Sequence, residues 1–195
     1  QLLVTQIKSL LNNYGEVVEG PMLLIPRVNH DKRGFFVESW NQLEFDSLIG
    51  EKINFLLDGH SYSTKGVLRG MHYQLPPNSQ GKLIRCVFGE IYDVIVDIRK
   101  DSPTFSTWIA TRVSNKNYFQ LWIPPGFAHG FLTLTNNAEV LYKLTDFWHP
   151  EYERSIRWDD STISIKWPDL IRNIVISEKD SISPSLEELK EVDLF

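Results

Sequence analysis

The chain has 195 residues, 42% of them hydrophobic and 12% aromatic, enough for one domain with a sizeable core and well suited to β-sheet packing. Its formal net charge of −5 gives no general attraction for nucleic acid or an anionic membrane surface. The single cysteine, Cys86, excludes an internal disulfide and no apolar run approaches the ~20 residues that cross a bilayer, so the expectation is a soluble cytoplasmic protein without a signal peptide.

Residues 1–14 place Leu3, Ile7, Leu10 and Leu11 at helical spacing, which predicts a short amphipathic helix within an N-terminal extension, residues 1–16. One domain is expected over 17–195. Residues 19–26 predict a strand closed by proline, 30–34 a turn, and 35–40 another strand; 43–49 fit one or two helical turns. A strand over 53–64 leads into GVLRGMHYQLPPNSQGKLIR, residues 66–85, around which the chain is organised. Val67 and Leu68 open a strand that Gly70 interrupts, a Pro-Pro loop follows, and residues 82–88 return as a strand. Arg69 and His72 would face opposite sides of an uninterrupted strand, and a bulge at Gly70 would bring both to one face. His72 and Lys82 are expected on neighbouring strands. Gly89 predicts a hairpin turn from residues 87–88 into a strand over 90–99. Strands over 107–113 and 118–123 precede a Pro-Pro-Gly corner, His129 and a further strand. In the strand over 139–147, Val140, Tyr142 and Leu144 share one side. A terminal helix is expected over about 184–191, capped by Ser183, or by Ser185 with Glu188 three residues on. About ten short strands with little helix predict an all-β antiparallel sandwich or barrel.

Two chemistries suit such a barrel. His72 and His129 invite a metal, and the PPGFAH corner resembles the second motif of metal-binding cupins. However, Gln74 stands where a second histidine of the first motif would be, and a transition-metal site wants three or four ligands. Metal-free acid–base chemistry fits better. His72 can take a proton near pH 7, and Lys82 and His129 can stabilise a developing oxyanion, each such donor supplying roughly 3–4 kcal/mol. Tyr142 is the candidate acid. A base and an acid on opposite walls are what inversion at a carbon beside a ketone requires. A half-buried strand tyrosine and a hydrogen-bonded corner histidine are the plain structural alternatives for Tyr142 and His129.

Eight segments in order, DKRGFFVESW, KGVLRGMHYQ, GKLIRC, GEIYDVIVDIR, WIPPGFAHGF, VLYKLTDFW, ERSIRWDD and SEKD, resemble the dTDP-4-dehydrorhamnose 3,5-epimerase family from about residue 19 to about 180. The resemblance implies a cupin-like jelly-roll barrel with a few short peripheral helices, no metal or other cofactor, and a nucleotide-linked 4-keto-6-deoxy sugar as substrate. It implies His72 as base oriented by Asp180, Tyr142 as opposing acid, and Lys82 beside the C4 oxygen. Arg69, His129, Glu153 and Lys179 match substrate-binding positions. Arg33, Phe36 and Glu38 match residues that meet the nucleotide in a homodimer sharing N-terminal strands. Trp148 stands where the family usually has a tyrosine stacking on thymine, and Leu57-Asp58-Gly59 replaces the usual Gln-Asp-Asn. These departures leave open the nucleotide and sugar, and single or double epimerisation. A metal-dependent cupin oxidase or isomerase and a non-catalytic nucleotide-sugar-binding module are the alternatives.

Overall fold

A computed structural model describes residues 5–169 and 172–195. Two antiparallel sheets face each other. The first has the order β1 (Thr5–Leu11), β2 (Val17–Pro26), β10 (Gln120–Ile123), β7 (Lys82–Phe88), β12 (Asn137–Leu144), β5 (Leu57–Thr64). The second has the order β13 (Glu153–Ser155), β6 (Leu68–Gln74), β11 (Phe127–Thr133), β8 (Glu90–Asp97), β9 (Trp108–Ser114). A separate ribbon pairs β3 (Val28–Asp31) with β4 (Gly34–Val37). This is the cupin-like jelly roll that the resemblance implied.

The two sheets differ in covering, and their sequences show it. Inward residues Ile84 and Cys86 (β7), Ile91 and Ile95 (β8), Phe127 and Phe131 (β11) and Val140 (β12) form one core between the sheets. The alternate residues of the five-stranded sheet, Met71, Tyr73, Val94, Val96 and Ala128, pack under the C-terminal segment with Ile156, Ile163 and Leu186. All seven residues of β11 are therefore buried, and its sequence FAHGFLT is apolar on both faces. The outer face of the six-stranded sheet carries a smaller cluster, where Leu83 and Trp122 meet Phe45 of α1 (Gln42–Ile49). This helix is the one or two turns expected over 43–49; Asn41 caps it and Gly50 ends it.

The bulge expected at Gly70 is present. His72 pairs with His129 but Arg69 with Phe131, so β6 carries one extra residue at this point. Without it Arg69 would share the outward face of Met71 and Tyr73; with it Arg69 and His72 turn to the same interior. Gly70 has φ +130°, and a side chain there would run into the backbone of His129 and Gly130 at 2.8 and 2.6 Å.

Four expectations need correction. Residues 5–11 form an edge strand rather than a helix; Leu3 lies outside the described residues. Seven residues are too few for a helix to stand alone, whereas the unpaired edge of β2 offers a ready hydrogen-bond ladder. Gly89 does not make a hairpin: β7 and β8 belong to different sheets, and the turn carries the chain across the barrel. For the same reason His72 and Lys82 are not on neighbouring strands but on facing sheets. Finally, the terminal helix is two short 3₁₀ turns, Leu186–Glu188 and Glu191–Asp193, although the Ser185–Glu188 capping box forms.

The strand assignment of residues 5–11 makes a measurable distinction. Leu10 is buried and Leu11 is 54% exposed, whereas one face of a helix would bury both. Leu10→Ala should lower the unfolding free energy in urea by about 2–3 kcal/mol, and Leu11→Ala by less than about 0.5 kcal/mol. Equal losses at the two positions would contradict the strand.

Candidate active site

A cavity of about 550 Å³ opens between the sheets, a size suited to a small-molecule site. The five-stranded sheet supplies Arg69 and His72 from β6, His129 from β11 and Glu153 from β13. The facing sheet supplies Lys82 from β7 and Tyr142 from β12. The C-terminal arm adds Lys179 and Asp180 from α2 (Glu178–Ser181), and the loop after β12 adds Trp148. An imidazole and a phenol thus border one cavity from opposite walls.

His72 Nε2 lies 2.6 Å from Asp180 Oδ1, and Asp180 Oδ2 accepts from the Gly70 backbone N–H at 3.2 Å. Ser177 caps the short turn that presents Asp180, its Oγ accepting from the Asp180 N–H. Burial opposes ionisation of Asp180, but the His72 ring and the Gly70 amide outweigh it and hold the carboxyl below its usual range. An ionised Asp180 accepts from His72 Nε2–H, which leaves Nδ1 as the basic nitrogen. The His72 side chain is 32% exposed, so the cavity can reach it.

A second imidazole–carboxylate pair sits deeper. His129 Nε2 is 2.7 Å from Asp93 Oδ2, and both side chains are almost fully buried. Burial pushes the imidazole down and the carboxyl up, so the dry setting disfavours an ion pair. Asp93 Oδ1 has no hydrogen-bond partner. Burial likewise pushes the Lys82 ammonium down to about 8, against the attraction of Asp93 and Glu153. At the mouth Glu153 Oε2 takes Lys179 Nζ at 2.7 Å and the Trp148 indole N–H at 3.1 Å. Burial opposes ionisation there too, but these two donors hold Glu153 below its usual range. The Trp148 ring is left 61% exposed at the rim. Arg69 donates to Ser63 Oγ at 3.0 Å and to the Tyr62 carbonyl at 3.1 Å.

Three residues singled out by resemblance lie elsewhere. Arg33 pairs with Asp31 on the solvent side of the β3–β4 ribbon, Phe36 is 68% exposed, and Glu38 accepts from Asn41 Nδ2. None of them borders the cavity of its own chain. Sequence reasoning missed two features. One is Asp93, the partner of His129: an acid inside the apolar run EIYDVIVDIR is itself a signal of a buried polar role. Ser61 lines the cavity with a buried, unpartnered hydroxyl. Among the described residues, no group of three His, Cys, Asp or Glu side chains lies close enough to hold a metal ion.

Comparisons with known proteins identify the family. The family model described as dTDP-4-dehydrorhamnose 3,5-epimerase matches residues 16–188. The chain is 54% identical over 164 residues to the dTDP-4-dehydrorhamnose 3,5-epimerase of Shigella flexneri, spanning 83% of this chain and 90% of that one. It is similar, at a TM-score of 0.89 and 39% identity over 97% of each chain, to a Legionella pneumophila 3,5-epimerase solved with dTDP-4-keto-L-rhamnose. It also resembles a 3′-monoepimerase from Streptomyces bikiniensis solved with dTDP-quinovose, at a TM-score of 0.82 and 31% identity, covering 87% of this chain and 85% of that one. With the family model matched over most of its length and with the sequence and fold it shares with these proteins, the chain belongs to the dTDP-4-dehydrorhamnose 3,5-epimerase family.

Proposed function

We propose that this chain inverts C3, C5 or both in a dTDP-linked 4-keto-6-deoxyhexose, as in conversion of dTDP-4-dehydro-6-deoxyglucose to dTDP-4-dehydrorhamnose. One observation carries the reading: His72, backed by Asp180, and Tyr142 border the same cavity from opposite sheets. His72 Nδ1 removes the proton from the carbon beside the C4 ketone, and the electron pair moves onto the carbonyl oxygen. Lys82 stabilises the resulting enolate. Tyr142 returns a proton to the opposite face of that carbon, and solvent reprotonates the phenolate while His72 releases its proton. No metal takes part in these steps. His129 supports the oxyanion from beside His72, its partner across the β6–β11 ladder. At the mouth, the exposed Trp148 ring offers a stacking surface for thymine, and Arg69 and Lys179 offer cations to the diphosphate. Glu153, which holds both Trp148 and Lys179, sets their spacing.

In D₂O with dTDP-4-keto-6-deoxyglucose the protein should exchange the C3 and C5 protons, and exchange at one carbon alone would make it a mono-epimerase. His72→Ala should abolish exchange. Tyr142→Phe should keep exchange and lose inversion by about 10²-fold or more. Normal inversion by Tyr142→Phe would remove Tyr142 from its role, and tight binding without exchange would support a non-catalytic module instead.

Lys82 gives the reaction an alkaline limit. Its ammonium is the active form, and burial lowers its pKa to about 8. The kcat/KM profile, which reports the free enzyme, should therefore fall as pH rises through about 8. Bound diphosphate favours the ammonium, so the kcat profile should fall at a higher pH. Lys82→Met should cost about 10²–10³-fold and flatten that limb, and an unchanged limb in the variant would assign it to another group.

We also propose a homodimer in which the β3–β4 ribbon carries Arg33, Phe36 and Glu38 to the partner's cavity. The ribbon belongs to neither sheet, and its phenylalanines are exposed. Sedimentation equilibrium should find a dimer, and Arg33→Ala should raise KM about tenfold or more through a lost phosphate contact. A monomer with full activity would contradict this arrangement. Free Cys86 in an apolar strand and a nucleotide-sugar substrate suit a cytoplasmic location.

A further inference from the structure

Trp148 stands between β12 and β13 in an irregular segment, residues 145–152, where no ladder fixes the backbone. The peptide groups of such a segment need partners of another kind. Gln74, the last residue of β6, supplies them on both sides of Trp148. Its Nε2 donates to the Phe147 carbonyl at 2.9 Å, and its Oε1 accepts from the His149 N–H at 2.9 Å. These belong to the two peptide groups that flank the Trp148 Cα, so one side-chain amide brackets the residue. Nε2 also donates to the Asn78 carbonyl, and Gln74 as a whole is buried. Gln80 Nε2 adds a second donor to the Phe147 carbonyl at 3.1 Å and one to the Asp146 carbonyl at 2.9 Å. The indole end of Trp148 is held by Glu153, and Glu153 is the partner of Gln74 across the β6–β13 ladder. Backbone and ring of Trp148 are thus tied to a single rung of the sheet.

We infer that Gln74 is a positioning residue for nucleotide binding: its amide fixes the backbone on either side of Trp148 and so holds the indole as a preformed platform for the base of the substrate. The inference rests on the epimerase reading above, and within it on the stacking role of Trp148. Gln74 and Gln80 border the cavity beside Trp148. Both N–H groups and the oxygen of the Gln74 amide are already engaged, so Gln74 acts through Trp148 rather than on the ligand. A ring held in place before the base arrives spares the ligand the cost of ordering it. None of these hydrogen bonds reaches His72, Lys82 or Tyr142, so loss of the amide should fall on KM and spare kcat. An amide that only holds the loop together makes a different forecast, because its loss would lower binding and turnover alike, with the indole present or absent.

The test is a cycle of four proteins: wild type, Gln74→Met, Trp148→Ala and Gln74→Met/Trp148→Ala. The dissociation constant of dTDP is measured by calorimetry, and kcat and KM with dTDP-4-keto-6-deoxyglucose, with urea unfolding in parallel. Trp148→Ala should weaken dTDP about 5- to 100-fold, the range of base stacking on an aromatic ring. Gln74→Met should weaken dTDP about fivefold or more, raise KM to match, and leave kcat within about twofold. Added to Trp148→Ala, where no ring remains to be held, it should change dTDP binding by less than about twofold. Unchanged dTDP binding in Gln74→Met overturns the inference. So does an equal loss in the presence and absence of the indole, or a fall in kcat as large as the rise in KM. If Gln74→Met fails to fold, Gln80→Ala decides: a loss of dTDP affinity confined to the protein that keeps Trp148 supports the inference, and no loss, or an equal loss without Trp148, overturns it. Wild-type affinity in Trp148→Ala overturns the platform and this inference with it, whereas absence of proton exchange by the wild type overturns the epimerase reading and leaves the dTDP cycle to decide this one.

Discussion

The carboxylate of Asp180 holds the site together. One oxygen meets His72 Nε2 and the other the Gly70 amide, so a single buried group fixes both the ring and the bulge beside it. The bulge turns Arg69 inward, and the ring hydrogen bond selects the tautomer in which Nδ1 is the unprotonated nitrogen. The same contact pins the C-terminal arm, whose Lys179 reaches Glu153 at the mouth. Without Asp180 the buried amide of Gly70 would lose its side-chain partner, and the imidazole would keep neither orientation nor polarisation. The orientation of the imidazole, the placing of Lys179 and the seat of the arm are therefore coupled through one side chain that is 4% exposed.

Charge across the cavity follows from where water is excluded. No carboxylate lies within ion-pair distance of the Lys82 ammonium among the described residues, and burial makes its charged form expensive. That cost is what makes it useful, because an ammonium held without a close counter-ion interacts most strongly with charge that appears during reaction. Lys179 is different: at the rim it is already paired with Glu153, and its attraction for a phosphate competes with that bond. The interior cation thus suits a transient oxyanion and the rim cation a permanent anion.

Much of this was legible in the sequence, for reasons that differ by element. The bulge at Gly70 could be read because glycine in an apolar strand has few other uses, and α1 could be read from its spacing and its ends. The Ser185–Glu188 box was readable too, although its helix stops after one 3₁₀ turn. The segment over residues 5–11 misled because four apolar positions fit a helix and a strand alike, and the open edge of β2 lies outside any local window. Gly89 misled because a turn between two strands looks the same whether the strands pair or cross to opposite sheets. No spacing rule links His72 to Asp180 either, since they lie 108 positions apart; only the resemblance joined them. Asp93 could have been read, as a charge in an apolar strand must have a partner to persist.

The two walls of the cavity are not equally constrained. The five-stranded sheet, which carries His72 and His129, is packed on both faces, and β11 has no exposed residue. Close packing on both sides leaves few positions free to change without a cavity or a clash. The six-stranded sheet ends at β5, an edge strand with much of its length exposed, and β5 is the strand that seats Tyr142. Substitutions at residues 57, 59 and 61 can therefore reshape the wall that carries Tyr142, whereas the wall that carries His72 is held by packing on both faces. In the proposed reaction, proton abstraction falls to the part of the fold that tolerates least change and proton return to the part that tolerates most. Leu57 and Gly59 depart from the usual residues on that adjustable wall, where a family with one way of removing a proton can diverge in where it puts the proton back.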